Sequence, residues 1–256
     1  MPTPQVVVDR MLFMANTKSS DYVIDLGSGD GVIVLTAARL FGAQGMGVDI
    51  DPELVKRSND AARKFGIADR ARFLRQDVFK ADLSKASIVT LYLLPHMMLS
   101  LRDRIFNELK PGARVVSHDY HCGDWMPDDQ LTFEVAEKQS VHGRPEATIY
   151  LWHVPARIAG KWEIRIEGGG TYELALKQRF QDAEGSVTTG GKVLRPQELA
   201  LSGTAFSFAL PEGKGTSRFA GHVKGDAMEG TVELPDGKTP ARWSAVRTSA
   251  GTVVIE

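Results

Sequence analysis

The sequence predicts an open, largely parallel α/β domain followed by an all-β domain. Three observations carry this. Strand-like apolar runs alternate with helix-like segments through residue 118, the pattern of a parallel sheet with right-handed crossovers. A glycine-crowded turn, Gly27-Ser28-Gly29-Asp30-Gly31, links the first strand to a helix. After Pro155 helical periodicity gives way to short alternating segments separated by glycine-rich turns.

Thr3 before Pro4 reads as a helix N-cap with proline in the first turn. Val7, Val8, Met11, Leu12 and Met14 then give residues 5–15 near-helical spacing. Strand one is Tyr22–Leu26. The helix Val32–Phe41 is apolar almost all round and is expected to be buried, with Gly42 ending it. Strand two is Gly45–Ile50. Asp51-Pro52 opens a helix that runs to about Phe65 and stops at Gly66. Strand three is Ala71–Arg75. Strand four, Ser87–Leu94, is a near-continuous apolar run, as central parallel strands are. A helix over Met97–Leu109 precedes strand five, Ala113–His118. Segments near Leu131–Glu137 and Ala147–His153 are close enough to pair as a hairpin, giving seven strands.

Beyond Lys161, alternation marks residues 162–166, 172–176, 206–210, 219–223 and 228–234 as strands. Gly168-Gly169-Gly170, Gly190-Gly191 and Pro235-Asp236-Gly237 read as turns. Many short strands at near-regular spacing imply an antiparallel sandwich or small barrel. The expected division is residues 1–156 and 157–256, the second part having no assigned role.

The 256 residues are 43% apolar and 25% charged, ordinary for a globular chain. A net charge of -1 gives no basic field, so no nucleic-acid partner is expected. Cys122 is the single cysteine, which excludes an internal disulfide framework and favours a reducing compartment. No apolar run reaches membrane-spanning length, and the amino terminus does not read as a secretory leader. A cytoplasmic location is therefore expected. Oligomeric state is left open.

The glycine turn and Asp49, one β–α unit further on, together predict a nucleoside pocket. Glycines let backbone approach a ligand closely, and an acid at a strand tip accepts from ribose hydroxyls. A dinucleotide fingerprint needs glycine at the sixth position of the turn, where this chain has Val32. No Gly-Lys-Ser/Thr follows, which excludes a P-loop.

The Asp25-x-Gly27-x-Gly29-x-Gly31 spacing resembles the nucleotide loop of class I methyltransferases, whose Rossmann-like sheet binds S-adenosylmethionine and releases S-adenosylhomocysteine. Three further stretches narrow the likeness: Thr90-Leu91-Tyr92-Leu93-Leu94-Pro95-His96, Lys110-Pro111-Gly112-Ala113-Arg114-Val115-Val116 and Gly123-Asp124-Trp125-Met126-Pro127-Asp128. With Pro2-Thr3-Pro4, residues 1 to about 154 resemble bacterial relatives of the mitochondrial lysine methyltransferases that modify the ATP synthase c subunit and the adenine nucleotide translocase. The β-rich remainder has no counterpart in the mitochondrial enzymes.

The resemblance implies that Gly27, Gly29 and Gly31 line the methionine and ribose end of the cofactor. Asp25 engages its ammonium or simply caps the turn. Asp49 holds the ribose hydroxyls and Ile50 lies against the adenine. Asp77 accepts from the adenine amino group, with Val78 packed on the ring. At the end of strand four, where open α/β sheets place their chemistry, Tyr92, Pro95 and His96 are the candidates for handling the acceptor. Tyr92, Leu93, Leu94 and Pro95 could build an apolar channel for the neutral amine, though Leu93 and Leu94 are read as core. His96 is either a general base or a surface residue. Residues 118–122, read as extended, put His118, Tyr120 and Cys122 on one face and Asp119 and His121 on the other. No metal set results. Trp125 covers the site or is core, and His142 and His153 are structural.

Three functions follow: methylation of a protein amine, lysine above all; methylation of a small molecule, with the β domain shaping its pocket; or a cofactor-binding scaffold.

Overall fold

Helical and strand periods resolve into two compact units, Met1–His153 and Val154–Glu256. The computed structural model describes residues 3–143, 145–213, 215–235, 237 and 239–255, with backbone alone for 140–142. Pro2 of the amino-terminal motif, Asp236 of the last turn and the side chain of His142 lie outside the described residues.

The first unit runs α1 (Gln5–Met14), β1 (Tyr22–Leu26), α2 (Val32–Leu40), β2 (Gln44–Asp49), α3 (Pro52–Lys64), β3 (Ala71–Arg75), β4 (Ile88–Leu91), α4 (Pro95–Glu108), β5 (Arg114–His118), β6 (Asp129–Glu134), α5 (Ala136–His142) and β7 (Glu146–His153). Its seven strands form one sheet in the order β3-β2-β1-β4-β5-β7-β6. The first five strands are parallel, and β7 enters antiparallel to β5 with β6 at the edge. The order reverses at β1 and β4, the topological switch point where such sheets open a crevice.

Val7, Val8, Met11 and Leu12 form the buried stripe of α1 and share a core cluster with Ile33 and Ala37 of α2, Val116 of β5 and Ile149 of β7. Several local expectations shift. Pro4, not Thr3, is the N-cap of α1, and Thr3 is buried instead. Strand β4 is only four residues, all buried, because the chain leaves the sheet before Tyr92. Leu93 is half-buried and Leu94 is 56% exposed, so neither leucine is core. The expected strand near 131–137 ends at Glu134, and α5 fills the hairpin connection. The extended reading of 118–122 fails at Asp119, whose φ of 63° turns the chain as β5 ends. Trp125 is core: it is fully buried, edge-on to Phe106 at 5.3 Å, and its carbonyl accepts from Trp152 Nε1 at 2.8 Å.

The second unit contains β8 (Gly160–Ile166), β9 (Thr171–Arg179), β10 (Asp182–Thr189), β11 (Lys192–Leu194), β12 (Gln197–Ser202), β13 (Ala205–Glu212), β14 (Gly215–Lys224), β15 (Ala227–Glu233), β16 (Ala241–Ala250) and β17 (Val253–Val254). They belong to one curled sheet ordered β11-β10-β9-β8-β16-β15-β14-β13-β12, with β17 beside β9. A two-sheet sandwich is thereby excluded for this unit. Trp162, Phe206, Phe208, Phe219 and Trp243 pack its interior, with Phe208 and Phe219 stacked at 4.5 Å. Sequence alternation misses β10, β11, β12, β16 and β17, whose faces are largely half-buried or exposed.

Candidate active site

The site begins with the β1–β4 pairing. Asp25 near the end of β1 lies in register with Thr90 of β4. Both are buried, and Thr90 Oγ1 donates to Asp25 Oδ1 at 2.7 Å. Burial pushes the Asp25 carboxyl up to about 7; the Thr90 bond opposes this, while the nearby Asp30 and Asp49 add to it. A buried carboxyl of this kind favours a cation beside it.

The chain leaves β1 through a turn built on backbone bonds. Gly27 N and Ser28 N both donate to Val48 O, and Gly31 N donates to Ser28 O at 2.8 Å. Gly31 has a φ of 80°, and a Cβ there would meet the Phe73 ring at 2.7 Å, so glycine is dictated by both conformation and packing. Gly29 also has positive φ, but a Cβ there would meet nothing within 4 Å. That open space is what close approach of a ligand to backbone requires.

Asp49 ends β2. Its Oδ2 accepts from Gly29 N at 2.8 Å and its Oδ1 from Asp51 N at 3.0 Å, which fixes the carboxylate beside the glycine turn. Each oxygen retains a lone pair for a hydroxyl. Asp51 caps α3, accepting from Glu53 N at 2.8 Å.

A cavity of about 400 Å³ opens here. The turn lines it with Gly27, Ser28, Gly29 and Asp30, and the start of α2 with Val32 and Ile33. Asp25, Tyr92, Thr3, Leu54 and Arg57 complete it. Asp25, Gly27, Gly29 and Tyr92 share this lining, with Asp49 tied to Gly29 and Gly31 closing the turn. Ile50, 71% exposed, is not part of the lining. Nor are Asp77 and Val78: the Asp77 carboxylate accepts from Phe79 N at 3.0 Å as the cap of a 3-10 turn, and Val78 is buried. Pro95 and His96 are exposed on the first turn of α4, outside the lining.

Sequence reasoning passed over Thr3, Ser28, Thr90 and Arg57. Ser28 Oγ is buried with no hydrogen-bond partner among the described residues. The sequence carried no signal for Thr90, because its register with Asp25 emerges only once β4 ends at Leu91. Tyr92 stands against the His118 ring at 4.1 Å between centroids, and its phenol is pushed above the ordinary range by burial, then by Asp119 and Tyr120. Cys122 is buried, and that burial raises its thiol to about 12, so it is no nucleophile. Among the described residues no group of three or more His, Cys, Asp or Glu side chains is arranged to hold a metal.

The residues fit S-adenosylmethionine. Open space faces Gly29, a carboxylate is fixed beside the glycine turn, and a buried carboxyl stands near two other acids, a setting that suits a ligand with hydroxyls and positive charge.

Comparison with known proteins agrees. A family model describing the ANTKMT methyltransferase domain matches residues 25–129. The protein-lysine N-methyltransferase of Saccharolobus islandicus (strain REY15A) is 37% identical over 153 residues, 59% of this chain and 91% of the relative. The adenine nucleotide translocase lysine N-methyltransferase of Mus musculus is 35% identical over 105 residues, 41% of this chain and 46% of the relative. The chain thus spans about half the length of that animal relative. Among solved structures, the RNA methyltransferase of Salinibacter ruber in complex with S-adenosyl-L-homocysteine is 46% identical, with a TM-score of 0.56, covering 62% of this chain and 96% of that one. The chain is a methyltransferase that uses S-adenosylmethionine, and it belongs to the seven-strand family that includes the Saccharolobus islandicus protein-lysine N-methyltransferase.

Proposed function

We propose that the protein methylates the ε-amine of a lysine in a protein substrate. The observation that carries this is the cavity whose lining unites the glycine turn, Asp25 and Tyr92, in a chain that matches a protein-lysine N-methyltransferase over 91% of the relative.

Bound S-adenosylmethionine supplies a methyl group already activated on a sulfonium. In this reading Asp49 accepts from the ribose hydroxyls, Gly27, Gly29 and Gly31 seat the ribose and methionine portions, and Asp25 faces the ammonium. Ile50, Asp77 and Val78, outside the cavity lining, are left to the adenine end of the ligand in this reading. The chain's remaining task is to align the nucleophile and keep water away. A lysine ammonium has an ordinary pKa of about 10.4 and must release its proton before it attacks. Loss of solvent against the half-buried Tyr92 favours the neutral amine. Pro95 and His96, exposed at the start of α4 soon after Tyr92, are assigned to the acceptor's approach in this reading. Raising of the Tyr92 phenol keeps it uncharged as the amine is deprotonated.

No helix among the described residues is long and apolar enough to cross a membrane. A cytoplasmic setting belongs to the same proposal, supported by a single, buried cysteine.

The test is incubation of the protein with methyl-labelled cofactor and cell extract. Label in protein that acid hydrolysis returns as methyl-lysine supports the proposal. The Salinibacter ruber relative, described as an RNA methyltransferase, supports a second reading with RNA as acceptor. Label removed by ribonuclease and untouched by protease decides for that one. Label only in small molecules rejects both.

A further inference from the structure

Behind Tyr92 lies a buried ionic group that cofactor binding does not explain. His118 is the last residue of β5 and is 1% exposed. Lys138 reaches in from α5 and is 4% exposed, unusual for a lysine. Its Nζ donates to Asp119 Oδ2 and stands 3.4 Å from His118 Nε2. The same Asp119 oxygen lies 3.4 Å from that nitrogen. Asp119 is itself pinned: its backbone N donates to Thr148 O at 2.7 Å, and Thr148 N donates to its Oδ1 at 3.1 Å. The imidazole thus held carries Tyr92 on its face, 4.1 Å between centroids and tilted 30°. Tyr120 lies nearly parallel to Tyr92 at 6.4 Å.

Burying a charge pair is expensive, and such pairs contribute little net stability against apolar replacements of the same shape. What the arrangement does provide is a fixed ring. A stacked aromatic pair fixes orientation as well as area, and an ammonium anchored on a twice-bonded carboxylate gives the imidazole edge one resting place. Tyr92 follows β4, outside the strand, and lines the cofactor cavity.

We infer that His118, Asp119 and Lys138 are positioning residues for methyl transfer, holding the Tyr92 ring against the cavity wall where the acceptor meets the methyl group. This rests on the lysine reading for the identity of the acceptor and on the observed stacking for the rest. None of the three is expected to touch the cofactor.

The discriminating pair is His118→Ala, which removes the platform, and His118→Phe, which restores a ring without its nitrogens. Cofactor affinity is measured by calorimetry. Transfer to total cell protein is followed with labelled cofactor, the acceptor titrated to saturation. His118→Ala is expected to bind cofactor as the parent does and to lose ten-fold or more of the saturated rate. His118→Phe is expected to recover only part of that loss, because the ring returns without the nitrogen that faces Lys138. Because either change risks misfolding, a Lys138→Met, Asp119→Asn double variant, which removes both charges together, serves as a second probe and is expected to resemble His118→Ala in rate, with cofactor affinity kept. An unaltered saturated rate in His118→Ala overturns the inference, and so does His118→Phe as impaired as His118→Ala. If the parent itself transfers no label to protein, the lysine reading fails separately. The platform is then judged by NMR of ring-labelled tyrosine. Tyr92 signals that shift in His118→Ala and return in His118→Phe keep it; signals unmoved in His118→Ala remove it.

Discussion

A buried carboxyl prefers its proton, and Asp25 is such a group. Its value of about 7 lies above the ordinary 3.8, so the cofactor-free protein loses stability as pH rises from about 4 to about 7 and is level beyond. Replacing Asp25 with Asn removes that slope, which thermal melts between pH 4.5 and 8 measure. A cation in the cavity favours the ionised form, so cofactor affinity is expected to fall as pH drops below about 7. Calorimetry at several pH values checks this, and the dependence flattens in Asp25→Asn. For Asp49→Ala, the loss of hydrogen bonds to a charged acceptor, each worth about 1.5–3 kcal/mol, weakens cofactor binding at least about ten-fold. The same change frees Gly29 N, so affinity equal to the parent's contradicts the ribose assignment.

Strands and helices that bury a whole face were the legible elements. Strands β1 and β3 fall on the residues read from the sequence, and α3 begins at Pro52 under the Asp51 cap as expected. Errors gather where tertiary packing outweighs local pattern. Strand four was drawn to Leu94 because Tyr92, Leu93 and Leu94 are apolar, yet the chain departs after Leu91 to reach the cavity. Helix α5 was invisible, since it spans only seven residues and Lys138 is the buried one among its described side chains. In the site, the glycine turn and Asp49 were legible because backbone conformation leaves a composition signature. Ser28, Arg57 and Thr3 were not, because serine, arginine and threonine occur everywhere and only packing selects them. Two changes test the element scale. Asp51→Ala removes the cap of α3 and is expected to cost about 1 kcal/mol in urea unfolding. Gly31→Ala forces a side chain into left-handed backbone against Phe73, a strain of about 1–3 kcal/mol, and melting well below the parent is the expected result.

At the scale of the whole molecule, each unit has a core of its own: Val7, Met11, Ile33 and Ile149 lie in one, Trp162, Phe206 and Trp243 in the other. On the proposal that residues 1–156 form the methyltransferase domain, removing 157–256 is expected to leave a soluble fragment that binds S-adenosylhomocysteine with near-parental affinity by calorimetry. Aggregation or lost binding contradicts that division. The family match covers residues 25–129, within the first unit, and the topology of the second unit has a consequence of its own. Strands β12 to β16 pair each with its successor, and β16 then returns to β8 with Ala250 opposite Gly160. Entrance and exit of the module therefore sit at one spot. A module whose two ends coincide can be spliced into a loop of an unrelated host as a cassette, or re-cut into a circular permutant with new termini at Gly225, without stretching any linker.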